Sequence, residues 1–220
     1  MNFKALLAEF IGTFALIFIG VGAIASNYLN NGQTGLVGIA LAHGLTIAVM
    51  VSATGAISGG HLNPAVTLGL FSVKKIDAVN TMGYIMAQCF GAIAAAGLLK
   101  LSLPVSALEA VSMGTPALAQ GITPLMRLIT EIVLTFFLVF VVYGTAVDKR
   151  APKVGGLFIG LTVGLDILMG GPITGAAMNP ARHLGPALLG GGMSQVWLYW
   201  LGPVVGGVLA ANYYRKFLES

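Results

Sequence analysis

Six apolar stretches, at about 5–26, 36–55, 81–101, 128–146, 155–171 and 196–214, leave this chain few folds to choose from. Each approaches or reaches the ~20 residues that a helix needs to cross a hydrocarbon core of ~30 Å. Only 8% of the residues are charged and 57% are hydrophobic, whereas a water-soluble domain carries about 25% charged residues. In lipid the backbone polar groups of a span must pair within the span itself, which predicts helices. The expected class is an all-α membrane protein forming one domain over residues 1–220. Residues 4–25 also resemble a signal peptide, with Lys4, an apolar run and Ala23-Ile24-Ala25 as a cleavage site. That run is long enough to span, and its AEFIGTF pattern at 8–14 returns as TEIVLTF at 130–136. It is therefore expected to remain as a helix.

Two short segments, HLNPAVTLGL at 61–70 and AMNPARHLGP at 177–186, are variants of one another. Each follows a stretch of small residues and sits at an equivalent point of one half of the chain. Glu9 precedes Asn63 by 54 residues and Glu131 precedes Asn179 by 48, while Gly91 and Gly206 follow by 28 and 27. Three spans per half put the halves in opposite orientations, an inverted 3+3 repeat. The repeats are expected at 1–101 and 127–220, joined by an external connector at 102–126 that contains Pro104, Pro116 and Pro124. Segments 63–72 and 179–189 are too short to cross. At ~1.5 Å per residue they reach roughly half the core, as two re-entrant half-helices meeting near its centre. GxxxG spacings at Gly55/Gly59, Gly156/Gly160/Gly164 and Gly202/Gly206 suit close helix contacts.

Basic residues orient the chain. With the N-terminus inside, Lys4, Lys74, Lys75, Lys149, Arg150, Lys153, Arg215 and Lys216 are cytoplasmic, Lys100 and Arg127 external, and Arg182 belongs to the second Asn-Pro-Ala segment. The bias places both termini in the cytoplasm. Trp197, Tyr199 and Trp200 then fall at the outer interface, with Tyr213 and Tyr214 at the inner one. The net charge of +4 does not signal a nucleic-acid partner, because no basic run with interleaved aromatics exists. The single Cys89 excludes an intrachain disulfide and a cysteine metal cluster, and no cofactor is expected.

Asn is a strong N-cap and Pro suits the first helical position, so one Asn-Pro-Ala alone reads as an ordinary helix start. Two copies in opposed insertions point further. An Asn whose carbonyl oxygen caps its own helix keeps its NH2 as a donor, so Asn63 and Asn179 together can hold the oxygen of one small neutral molecule. Each helix N-terminus adds roughly half a positive charge aimed at the same point, which repels cations.

Over essentially its whole length the chain resembles the major intrinsic proteins, the aquaporins. The motifs that carry this are Asn63-Pro64-Ala65, Asn179-Pro180-Ala181, the paired Glu9 and Glu131, and the SGGH and NPAR contexts. The resemblance implies six tilted helices plus two half-helices, a pore in every subunit and a homotetramer in the lipid bilayer. It implies an outer selectivity filter formed by His43, Ile167, Ala176 and Arg182, resembling that of plant vacuolar members that also pass ammonia. Arg182 alternatively reads as a charge snorkelling to the outer interface. Glycerol channels tend to carry Asp where this chain has His183, and they lack an aromatic pair corresponding to Tyr199-Trp200. His183 also departs from the small residue common in water channels.

Glu9 and Glu131, as acceptor-only carboxylates, suit pairing with loop N–H groups ahead of Asn63 and Asn179; a proton relay is the sharper alternative. His61 reads as support for the loop. Its carbonyl and those of Gly59, Gly60, Gly175 and Ala177 suit a ladder of acceptors. Asp166, beside Ile167, is expected to bind a neighbouring hydroxyl or backbone group. The favoured function is passive conduction of water, with ammonia as a second permeant, excluding ions and protons. A glycerol- or urea-type facilitator and an ion-coupled secondary transporter are the alternatives, and an intramembrane enzyme lacks a nucleophile with a base or any HExxH-type ligand spacing. Short termini and loops point to a prokaryotic cell membrane.

Overall fold

The computed structural model describes residues 2–152 and 154–219; Lys153, assigned above to the cytoplasmic side, lies outside them. Six helices have the length and apolarity to cross a membrane. They are α1 (Phe3–Leu29), α2 (Gly35–Ser58), α4 (Ala78–Ser102), α6 (Pro124–Val142, prolonged by a π-helical turn, Tyr143–Val147), α7 (Gly155–Thr174) and α9 (Val196–Phe217). Two short helices, α3 (Pro64–Ser72) and α8 (Pro180–Gly190), occupy the places foreseen for the half-helices. The connector is more ordered than its prolines suggest. It contains α5 (Val105–Ala110) and a 3-10 turn, Ser112–Gly114.

Packing follows the repeat. The most extensive packing joins α2 to α7 across the two halves, followed by α6 with α9 and α1 with α4 within them. A Cβ on Gly91 would stand 2.4 Å from the Phe10 carbonyl oxygen, and one on Gly206 would stand 2.2 Å from that of Ile132. Both glycines therefore let two backbones touch at equivalent points of the halves. Gly160 does the same across α2 and α7, where its Cβ would meet the Gly44 oxygen at 2.3 Å. Gly55 does not act as a packing glycine, since nothing lies within 4 Å of its missing Cβ. Gly206→Ala is accordingly expected to lower thermal stability in detergent, by about 1–3 kcal/mol as overpacking typically does. Gly55→Ala should be neutral or stabilising, because Ala is the better helix former by about 1 kcal/mol.

The lipid-facing shell is apolar, with Leu7, Ile11, Leu41, Leu45, Phe90 and Leu165 all exposed on the helices. Charges gather at one end of the bundle. Lys75 Nζ lies 2.6 Å from Glu219, and the Arg150 guanidinium chelates Asp148 at 2.5–3.2 Å. That pairing holds the Asp148 carboxyl below its ordinary range.

Candidate functional site

Each half-helix begins as its motif dictates. Asn63 Oδ1 accepts from the Ala65 N–H at 2.8 Å, and Asn179 Oδ1 accepts from Ala181 and Arg182 at 3.0 and 3.2 Å, with proline next in each helix. The side-chain amides are not wholly free, however. Asn63 Nδ2 donates to the Met178 carbonyl and Asn179 Nδ2 to the Leu62 carbonyl, both at 2.9 Å. Each amide thus spends one hydrogen bracing the opposite loop and keeps the other for the lumen, which both Asn residues line. This reciprocal brace was invisible in the sequence, because its partners are 115 and 117 residues apart.

The two carboxylates sit among donors from the segments that lead into the half-helices. Fully buried Glu9 accepts from Ser58 Oγ (2.6 Å), the His61 N–H (2.9 Å), the Leu62 N–H (2.6 Å) and Gln88 Nε2 (2.7 Å). Glu131 accepts from Thr174 Oγ1 (2.7 Å), the Ala177 N–H (3.0 Å) and the Met178 N–H (2.8 Å). Two tyrosines complete the symmetry in a role the sequence did not reveal: Tyr84 donates to the Ser58 carbonyl at 2.9 Å and Tyr199 to that of Thr174 at 2.5 Å. These anchors hold strained backbone in place. Leu62, Ala176 and Met178 sit at φ of 51°, 42° and 50°, a left-handed region that costs a non-glycine residue about 1–3 kcal/mol.

A lumen passes between the halves. Its lining combines apolar Leu16, Ile47, Val51, Leu138, Val142, Ile159 and Val163 with the loop residues Gly60, His61, Ala176, Ala177 and Met178 and the two Asn residues. Gly59 and Gly175, expected in the acceptor ladder, form the left-handed C-caps of α2 and α7 at φ 90° and 81°, and Gly175 borders the cavity at the His43–Arg182 end. The Leu62 and Met178 carbonyls, which were not in that expected set, are taken up by the Asn brace. His61 supports the loop through Nδ1, 3.1 Å from Thr67 Oγ1. Space open to the centres of water-sized molecules is about 30 Å³, against the ~10–15 Å³ that one water needs.

His43, Ile167, Ala176 and Arg182 converge at one end of this lumen, and three of them also border a second cavity. The Ile39 carbonyl, 2.9 Å from His43 Nδ1, can only accept, so Nδ1 carries the proton. The Nε2 lone pair therefore faces Arg182 NH2 at 3.3 Å. Arg182 NH1 donates to the Gly114 carbonyl at 2.9 Å. The connector thus reaches back to hold the guanidinium, a contact across 68 residues that no local signal announces.

Two expectations are corrected, and Arg127, assigned only to the external side, is fully buried: its NH1 donates to Gln195 Oε1 at 2.5 Å and the guanidinium covers Tyr199. Tyr199, placed in an interfacial belt, is also fully buried, while Trp197 is 54% exposed. Asp166 is buried, but its Oδ2 finds no partner among the described residues, so the hydroxyl or backbone contact expected for it is not made there.

Six spans, two opposed half-helices and a lumen between them define a membrane channel of the inverted-repeat class. The chain belongs to the major intrinsic protein family, whose sequence model matches residues 1–214. It is 46% identical to aquaporin TIP4-4 of Zea mays, over 96% of this chain and 85% of that protein. It is 41% identical to aquaporin NIP1-1 of Oryza sativa subsp. japonica, covering 96% and 73%. The fold is similar to the X-ray structure of the aquaglyceroporin from Plasmodium falciparum, with TM-score 0.86, 27% identity and 98% and 96% of the two chains covered.

Proposed function

We propose that the chain is a passive channel conducting water in single file, with ammonia as a second permeant. The observation that carries this reading is the narrow lumen of mixed lining. Asn63, Asn179 and Arg182 border it together with Leu, Ile and Val side chains. A permeant oxygen can meet the remaining N–H of Asn63 and of Asn179, while the apolar side chains offer nothing to bind it. The N-termini of α3 and α8 start at those same residues and oppose any positive charge, protons included. His43, Ile167, Ala176 and Arg182 act as the outer filter, and the carbonyls of Gly60, His61, Ala176 and Ala177 accept from passing waters. Glu9 and Glu131 act as scaffold: the donors that surround them are loop and side-chain groups rather than a chain of titratable ones.

In proteoliposomes, osmotic shrinkage is expected to be fast and indifferent to any ion gradient; gradient-dependent flux would instead identify a coupled transporter. The second reading, a glycerol- or urea-type facilitator, is favoured by small Ala176 and Ile167 in the filter and by the likeness to the solved aquaglyceroporin. Stopped-flow rates for water, ammonia and glycerol on one preparation separate the two. Mercurials are expected not to block the filter, where Ala176 offers no thiol. Strong inhibition that survives Cys89→Ser would contradict this arrangement.

The same reading includes one channel domain, with repeats 1–101 and 127–220 around the connector 102–126, and a homotetramer in a cell membrane with both termini cytoplasmic. The distribution of Lys and Arg supports that orientation. An apolar groove along α2 and α7, floored by Gly44, Gly160 and Gly164, suits contact between subunits.

A further inference from the structure

Each half-helix is carried by the opposite half of the chain. α3 packs chiefly on α9 and α8 chiefly on α4, in each case the third span of the other repeat. The contacts recur at matching steps. Six residues after Asn63, a Cβ on Gly69 would stand 2.8 Å from the Gly207 carbonyl oxygen of α9. Six residues after Asn179, one on Gly185 would stand 2.6 Å from the Ala92 carbonyl oxygen of α4. Ten residues after each Asn, a basic side chain from that same span takes up the half-helix carbonyl. The Arg215 guanidinium donates to the Val73 carbonyl and Lys100 Nζ to that of Leu189, both at 2.8 Å. Lys100 follows Asn63 by 37 residues and Arg215 follows Asn179 by 36, so the two cations are counterparts in the repeat.

Electrostatics accounts for the pairing. Lys100 stands in the last turn of α4 and Arg215 in that of α9. At each end of the bundle two helix C-termini therefore meet, each bearing roughly half a negative charge, and one cation serves both. The glycine contact acts as a pivot. At ~1.5 Å per residue the bonded carbonyl lies ~6 Å beyond it and the Asn ~9 Å before it, so a tilt at the carbonyl end reaches the Asn enlarged by about half. We infer that Lys100 and Arg215 are positioning residues for Asn179 and Asn63. Each holds the far end of a lever whose near end sets where the amide meets the permeant. The reciprocal Asn brace secures the near ends, so each rod is fixed at both of its ends. The inference rests on the proposed reading of the Asn pair as the point of contact with the permeant.

The test is water permeability in proteoliposomes, measured per amount of monodisperse protein. Lys100→Met and Arg215→Met keep a long side chain without its charge. Each is expected to lower the permeability about two- to fivefold, the scale of one cation at a helix C-terminus. Lys100→Arg and Arg215→Lys keep a cationic donor and should conduct at the wild-type rate. Lys216→Met removes a neighbouring charge that lies over Phe217, and it should change nothing. Wild-type permeability in both Met variants overturns the inference. So does an equal fall in Lys216→Met, which would signal a general effect of surface charge, or a fall in the conservative variants as large as in the Met ones. Should one Met variant not fold, the other decides together with its conservative partner. Wild-type vesicles that pass no water would instead overturn the channel reading itself.

Discussion

Glu131→Ala is expected to prevent the protein from accumulating in folded form. The carboxylate is fully buried and accepts three hydrogen bonds from the loop that leads into α8. Its removal leaves the Ala177 and Met178 N–H groups without an acceptor, at about 1–3 kcal/mol each. It also frees Ala176 and Met178 to leave φ of 42° and 50°, conformations that only surrounding contacts maintain. The two lost acceptors together come to about 2–6 kcal/mol, a large share of the ~5–15 kcal/mol that holds a typical folded domain. Glu131→Gln keeps one acceptor oxygen but turns an NH2 toward the remaining donors, so an intermediate loss is expected. Thermal unfolding in detergent, read by size-exclusion chromatography, checks both. A Glu131→Ala protein as stable as wild type would show that the loop holds its shape unaided. Glu9→Ala should be at least as damaging, since Glu9 serves four donors.

Arg182→Ala is expected to change selectivity more than any other substitution in the lumen. Among the described lining residues Arg182 carries the one permanent positive charge, next to the neutral His43 face and above the Asn pair. A monovalent cation passing ~4 Å from that charge meets a barrier of about 4 kcal/mol at an effective dielectric constant of ~20, roughly a thousandfold in rate. Truncation removes the barrier and exposes the Gly114 carbonyl, an acceptor that suits a cation. Cation leak in planar bilayers and faster glycerol uptake in vesicles are both expected. Arg182→Lys keeps a charge but not the guanidinium fork, so it should retain cation exclusion while loosening the size limit. Unchanged conductance and uptake in Arg182→Ala would remove this residue from the filter.

The failures of the linear reading share a pattern. Arg127 was assigned to the external side from the charge distribution and Tyr199 to an interfacial belt, yet both side chains turn inward and pack on each other. Gly55 matched a packing spacing yet faces open space, while Gly91, outside any such spacing, touches the Phe10 backbone. Spacing along one helix says which residues share a face, not which face meets a neighbour.

What the sequence by itself determined is everything governed by a residue's immediate surroundings and its depth in lipid. Apolar length set the six spans, because lipid leaves a backbone no partner but itself. Asn and Pro set where α3 and α8 begin, because a cap acts within its own turn. The duplicated Glu and Gly positions set the inverted halves. Only the tertiary structure decided the Asn brace across the lumen, the Gly114 hold on Arg182 and the packing of Arg127 on Tyr199. Those contacts join residues 60 to 120 positions apart or on separate helices, and they depend on how the helices cross and rotate, which no stretch of chain encodes alone.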